Sequence, residues 1–265
     1  MSVLVRSQAG HGYVQIIPPR QYTRFIELAQ LTLDAGESFL LPATPREQFG
    51  VILSGQCDIR GDRFGWMHAG ERANVFDGPA SAFYLPPAYG CRIIARTPLQ
   101  IVIAAAPATI SSQPVFIAPG DIRRQAFGNG IVRRELHEIL HENYATACLM
   151  AAEVHTPAGH WPCFPPHRHD TDSLPVEARL EEVSFFKFQP SQGFGFVSIY
   201  GDNLAAEARY LLDGDAIVIP NGYHAVTSAP GYRCYCLNIL AGSTRRMLAR
   251  DDPRHSWVLE KESGR

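Results

Sequence analysis

The 265-residue sequence predicts an all-β protein made of two tandem β-barrels with a short connecting helix. Two observations carry that expectation. Short apolar and aromatic runs recur along the chain, most of them bounded by Gly, Pro, Asn or Asp. One phrase, a turn followed by an apolar strand ending in proline, occurs in both halves.

In chain order the runs are Phe49–Leu53, Ala82–Leu85, Cys91–Ala95 and Gln100–Ala104, then Val183–Phe188, Phe194–Tyr200, Ala216–Ile219 and Arg233–Leu240. The turns beside them include Ser54-Gly55, Asp77-Gly78-Pro79, Gln192-Gly193, Asp213-Gly214 and Asn221-Gly222. Many short strands at this spacing belong to sandwiches and barrels. Arg133–Glu142 reads differently. Its Leu136, Ile139 and Leu140 stand three and four apart, one apolar helical stripe, and predict the connecting helix. The recurring phrase runs from Asp77-Gly78 to Leu85-Pro86 and again from Asp213-Gly214 to Ile219-Pro220. It predicts a duplicated β domain, with residues 1–125 as the first copy and 126–265 as the second.

Composition narrows the function classes. Hydrophobic residues make up 46% and charged residues 19%, as in ordinary globular proteins. A formal net charge of -2 and the lack of any Lys/Arg-rich run exclude a nucleic-acid surface. No basic segment followed by a long apolar stretch opens the sequence, so no signal peptide is read. The apolar run around Ile101–Ala106 is too short to span a bilayer. We expect a cytoplasmic protein with neither nucleic-acid nor membrane partners. The cysteines, at 57, 91, 148, 163, 234 and 236, form no disulfide framework. Cys234 and Cys236 share a strand face and are read as core thiols.

The chemistry concentrates in the second half. In Phe164-Pro165-Pro166-His167-Arg168-His169-Asp170, a strand would turn both imidazoles to one face. After a polar loop, Glu181 and Glu182 lead the strand Val183–Phe188. Asp213-Gly214 then opens a strand that ends in Ile219-Pro220-Asn221-Gly222-Tyr223-His224. His167, His169, Glu182 and His224 make a metal shell of imidazole and carboxylate, suited to Zn first and also to Mn, Fe or Ni. Glu181 faces the other side of its strand and is the alternative acid. The order His-x-His, strand-leading Glu, then Gly-x5-Pro-x-Gly-x-His resembles the two cupin motifs. It departs from them in a longer loop before the Glu and in one residue, not two, between Gly222 and His224. The first half has Gly90 where His224 would stand and no His-x-His ahead of Glu47, so it reads as a domain without metal ligands.

A rival motif sits on the predicted helix. His137-Glu138-Ile139-Leu140-His141 is a formal H-E-x-x-H, the metalloprotease signature. The helix is short, its apolar stripe runs between the two His, and no third ligand follows at a zincin spacing. We read His137 and His141 as helix-face residues.

The runs around His167, Leu180-Glu181-Glu182-Val183, Gln192-Gly193-Phe194-Gly195 and Leu212–His224 together resemble the 5-deoxy-glucuronate isomerases of bacterial myo-inositol breakdown. Val75-Phe76-Asp77-Gly78-Pro79, Tyr84-Leu85-Pro86-Pro87 and the segment from Gly128 to Leu140 fit the same family. The resemblance implies two tandem cupin (jelly-roll) β-barrels. It also implies an aldose–ketose isomerase interconverting 5-deoxy-D-glucuronate and 5-dehydro-2-deoxy-D-gluconate through an enediolate, assisted by a divalent metal. Such a reaction needs a base to carry a proton between adjacent carbons, for which Tyr223, Glu181 and Lys187 are the candidates. The sugar-acid carboxylate calls for an arginine, Arg134 or Arg233. We expect a homo-oligomer acting on this small molecule. A cupin dioxygenase and a non-enzymatic sugar-acid-binding bicupin are the alternatives.

Overall fold

Alternation of apolar and polar residues drives the chain into half-buried strands. In Phe194–Gly201, Gly195, Val197 and Ile199 are buried while Phe196 is exposed. The computed structural model describes residues 2–6, 10–202 and 204–258. The first half forms β1 (Val3–Val5), β2 (Gly12–Ile17), β3 (Glu27–Leu33), β4 (Ser38–Leu41), β5 (Arg46–Ser54), β6 (Cys57–Arg60), β7 (Gly65–Ala69), β8 (Ser81–Leu85), β9 (Cys91–Ala95), β10 (Leu99–Pro107) and β11 (Val115–Ile117). All eight predicted runs fall within strands. The second half adds β12 (Arg123–Phe127), β13 (Arg134–Leu140), β14 (Leu149–Thr156), β15 (His167–Arg168), β16 (Glu181–Gln189), β17 (Phe194–Gly201), β18 (Leu204–Leu212), β19 (Ala216–Ile219), β20 (Tyr223–Ser228), β21 (Arg233–Ala241) and β22 (Arg250–Asp251).

The chain divides into two compact units. One holds Met1–Ser7, Arg124–Glu138 and Ala151–Arg265, the other Gln8–Arg123 and Ile139–Met150. The initial strand joins the C-terminal unit, where β1 pairs antiparallel with β19 and Val3 stands opposite Val218. In that unit a sheet of order β1-β19-β16-β21-β14-β13-β12 faces one of order β18-β17-β20-β15-β22. Phe186, Phe188, Ile217 and Cys236 from the first sheet meet Val197, Ile199, Leu211 and Val226 from the second in one core. The N-terminal unit repeats the plan. Its six-stranded sheet, β11-β8-β5-β10-β3-β2, packs Ile52, Phe83 and Ile101 against Ile59, Ile93 and Leu41 of the four-stranded β4-β9-β6-β7. Each unit is a two-sheet jelly roll. The cysteines at 234 and 236 are buried core thiols, as expected.

One expectation fails. Arg133–Glu142 is no helix: Arg134–Leu140 is strand β13, hydrogen-bonded between β14 and β12. A short apolar run fits both periods, and ladder partners on both sides decide for the strand. The connecting helical turns here, Pro119–Asp121 and Gly130–Val132, are single 3-10 turns. Along a strand His137 and His141 stand about 13 Å apart rather than one helical turn, which removes the metalloprotease geometry. Among the described residues no helix is long and apolar enough to cross a membrane.

Candidate metal centre

The four residues singled out in the sequence converge between the two sheets of the C-terminal unit. β15 pairs with β20 so that His167 lies directly opposite His224, and partners across a strand pair project to the same side. His224 in turn stands opposite Ile199, a core residue, so both rings point inward. On β16, Glu182 shares its side with the core residues Phe186 and Phe188. Imidazole nitrogens of His167, His169 and His224 all lie within 4.8 Å of one another.

Glu182 ties the group together. Its Oε2 lies 2.8 Å from His169 Nε2 and 3.3 Å from His224 Nε2, and its Oε1 accepts the Ser184 hydroxyl at 2.7 Å. His169 is oriented from behind, its Nδ1 donating to the Leu180 carbonyl at 3.0 Å. Gly222 shapes the approach to His224: its φ is +94°, and a Cβ there would meet the Tyr200 carbonyl oxygen at 2.8 Å. His169, Glu182 and His224 are buried, whereas His167 is half-buried and opens the group towards solvent.

Burial opposes charge on Glu182, His169 and His167, and the neighbours decide the outcome. Burial would raise the Glu182 carboxyl, but the hydrogen bond from His169 and the nearby His224 ring hold it well below the usual carboxylate range. His169 is opposed by burial yet held above the ordinary imidazole value by Glu182. His167 drops well below it, through burial and then the facing His224. The buried His224 Nε2 has no hydrogen-bond partner among the described residues. An orphaned buried nitrogen beside three further N and O donors fits a divalent cation.

Not every expected residue comes to this place. Arg134 does, sharing the inward side of β13 with Leu136, and its charge acts on His167 and Asp251. Arg233 does not: it pairs with Gln189, seven residues along β16 from Glu182, roughly 23 Å away, and donates to the Gln189 side chain. Strand alternation also turns the three base candidates away. Glu181 and Lys187 lie on the opposite face of β16 from Glu182, and Lys187 is ion-paired to Asp213 at 3.0 Å. Tyr223 lies on the opposite face of β20 from His224, under the Arg168 guanidinium. Two residues went unread in the sequence. Ser184 was legible as the residue two beyond Glu182 on its face, and Asp251, on β22, stands opposite His167 of β15.

The N-terminal unit uses its corresponding acid otherwise. Buried Glu47 accepts the Tyr84 hydroxyl and the backbone N–H groups of Ala147, Cys148 and Leu149, at 2.7 to 2.9 Å.

Two jelly-roll units, one with a His and Glu group between its sheets, define a bicupin with a candidate metal centre. The chain belongs to the KduI/IolB family, which matches residues 3–258. It is 31% identical over 251 residues to the 5-deoxy-glucuronate isomerase of Geobacillus thermodenitrificans, covering 94% of this chain and 92% of the relative. The crystal structure of an IolB-like protein from Salmonella typhimurium LT2 superposes with a TM-score of 0.93 at 29% identity, covering 97% of this chain and 98% of the other. The oxalate decarboxylase of Lactobacillus farciminis shares the fold, with a TM-score of 0.71 at 11% identity over 97% of this chain and 88% of the other.

Proposed function

We propose that this chain is a 5-deoxy-glucuronate isomerase, interconverting that aldose acid with its ketose partner, 5-dehydro-2-deoxy-D-gluconate, in the cytoplasm. The observation that carries the reading is the meeting of His167, His169, Glu182 and His224 in one buried place, in a chain related along nearly its whole length to enzymes of that name.

Those four residues are the proposed holders of a divalent ion, zinc first, with manganese, iron or nickel suiting the same donors. Such an ion supplies Lewis-acid polarisation of the substrate carbonyl, which makes the neighbouring C–H acidic enough to ionise. The remaining work falls to side chains. Half-buried His167 marks the open side by which a sugar acid enters. Arg134, on that side, is the partner for the substrate carboxylate, its fork-shaped guanidinium matching two oxygens. The proton leaves C2 of the aldose to give an enediolate and returns at C1, while the O2 hydroxyl proton passes to O1, to give the ketose; one carboxylate or imidazole suffices as the carrier between the carbons. Asp251, across from His167 and on its side of the sheet, is the carboxylate best placed for that transfer. We take the N-terminal unit to be without metal, because Glu47 is already committed to four donors.

Proton NMR of 5-deoxy-glucuronate in D2O tests the reading. Metal-loaded protein is expected to produce the ketose with deuterium on the adjacent carbon, and chelator to stop it. Unchanged substrate in the presence of fully loaded protein refutes the activity. Consumption of oxygen in the same tube would replace it with a cupin dioxygenase.

A further inference from the structure

A second group of donors lies on the opposite face of the same seven-stranded sheet. Strands β21, β14 and β13 are neighbours there. Val154, Cys236 and Leu136 point into the core, so Glu153, His155, Tyr235 and His137, at alternate positions, point the other way. Glu153 is fully buried and His137 nearly so, with side-chain exposures of 0% and 5%. His155 is 12% exposed.

The geometry is that of ligands held by a supporting shell. His137 Nε2 lies 2.9 Å from Glu135 Oε1; in the neutral ring with its proton there, Nδ1 would present a lone pair towards Glu153. The carboxylate of Glu153 is fixed through Oε1, which accepts the Tyr235 hydroxyl at 2.8 Å. Its Oε2 then stands 3.7 Å from His137 Nδ1 and 3.6 Å from His155 Nε2. These separations are too long for hydrogen bonds. Both nitrogens are buried without a hydrogen-bond partner among the described residues. Donors bound tetrahedrally at about 2.0–2.2 Å sit about 3.3–3.5 Å apart, close to what is observed. A carboxylate behind a ligating imidazole, the part Glu135 plays, is the usual support of such sites.

We infer that His137, Glu153 and His155 form a second divalent-cation site, distinct from the group around Glu182, with zinc as the fitting ion and a fourth position left for water. The ion would pin β13 to β14, and half-exposed Glu135 marks its way in. The site needs no part of the isomerase reading.

The test is zinc stoichiometry by mass spectrometry on the full chain, stripped by chelator and reloaded with zinc alone. Wild type is expected to hold two ions per chain. His155→Ala and His137→Ala should each hold one fewer with turnover kept within about twofold, whereas His224→Ala should lose one ion together with turnover. Glu135→Gln, half-exposed at the surface, should weaken the second ion's affinity by about 10–100-fold. Zinc content unchanged by both His155→Ala and Glu135→Gln overturns the proposal, and leaves His137 as an imidazolium between two carboxylates. An ion lost in His155→Ala but kept in His224→Ala would uphold this site and sink the one around Glu182.

Discussion

At the scale of single residues, the Glu182 carboxylate stays ionised inside the protein because His169 donates to it and the His224 ring lies 3.3 Å away, and that same crowding of donors suits a cation. What surrounds it sorts into separable roles. Arg134 shares the inward side of β13 with Leu136, its charge acts on His167, and it supplies no ligand atom, so on the proposed role Arg134→Ala should raise KM for the sugar acid about tenfold or more with bound metal unchanged. Asp251→Asn should instead lower kcat by about 10²-fold or more with KM and metal content close to wild type. Steady-state kinetics alongside metal analysis separates the two, and loss of metal in either variant would reassign that residue to the ion's support. The candidate ligands were legible from His167-x-His169, a strand-leading Glu182 and His224 after a Gly turn, because side-chain alternation is a local property. The base candidates Tyr223, Glu181 and Lys187 lie on the same strands as the candidate ligands Glu182 and His224, and the same alternation turns all three away.

At the scale of elements, β13 shows where local pattern stops being informative. Leu136, Ile139 and Leu140 satisfy a helical stripe, but β14 and β12, its neighbours in the chain, provide ladder bonds on both sides. Buried charge on a strand follows the same logic. Asp58 on β6 accepts both Nε and Nη2 of Arg96, at 2.6 and 2.7 Å, and the backbone N–H of His68. Arg96 above all holds its carboxyl down at about 2, against an ordinary 3.8. A folded-state value below the unfolded one adds stability that is present above the unfolded value and lost as pH falls through the folded one. Asp58→Asn should therefore cost about 1–3 kcal/mol at pH 7, and the gap to wild type should close between pH 4 and pH 2. Urea unfolding across that range checks it, and a gap independent of pH would mean the ion pair contributes nothing.

At the scale of the whole molecule, the chain crosses back on its own halves: residues 1–7 belong with the C-terminal unit and 139–150 with the N-terminal one. Glu47 secures the second of these by binding three consecutive N–H groups about a hundred positions away. Glu47→Ala should lose at least about 3 kcal/mol in urea unfolding, since it strands several donors at once, and Glu47→Gln should lose less because one oxygen survives. A Glu47→Ala protein within about 1 kcal/mol of wild type would show that water satisfies those groups. The sequence by itself determined the all-β class, the eight main strands, the inward set His167, His169, Glu182 and His224, and the family, because alternation, turn residues and spaced motifs are all written locally. Only the tertiary structure decided that β13 is a strand, that Arg233 lies at the far end of β16 from Glu182, and that His137 meets Glu153 and His155. Each of those depends on which strands lie side by side, and that is decided by burial and pairing between strands, which the pattern within one strand does not record.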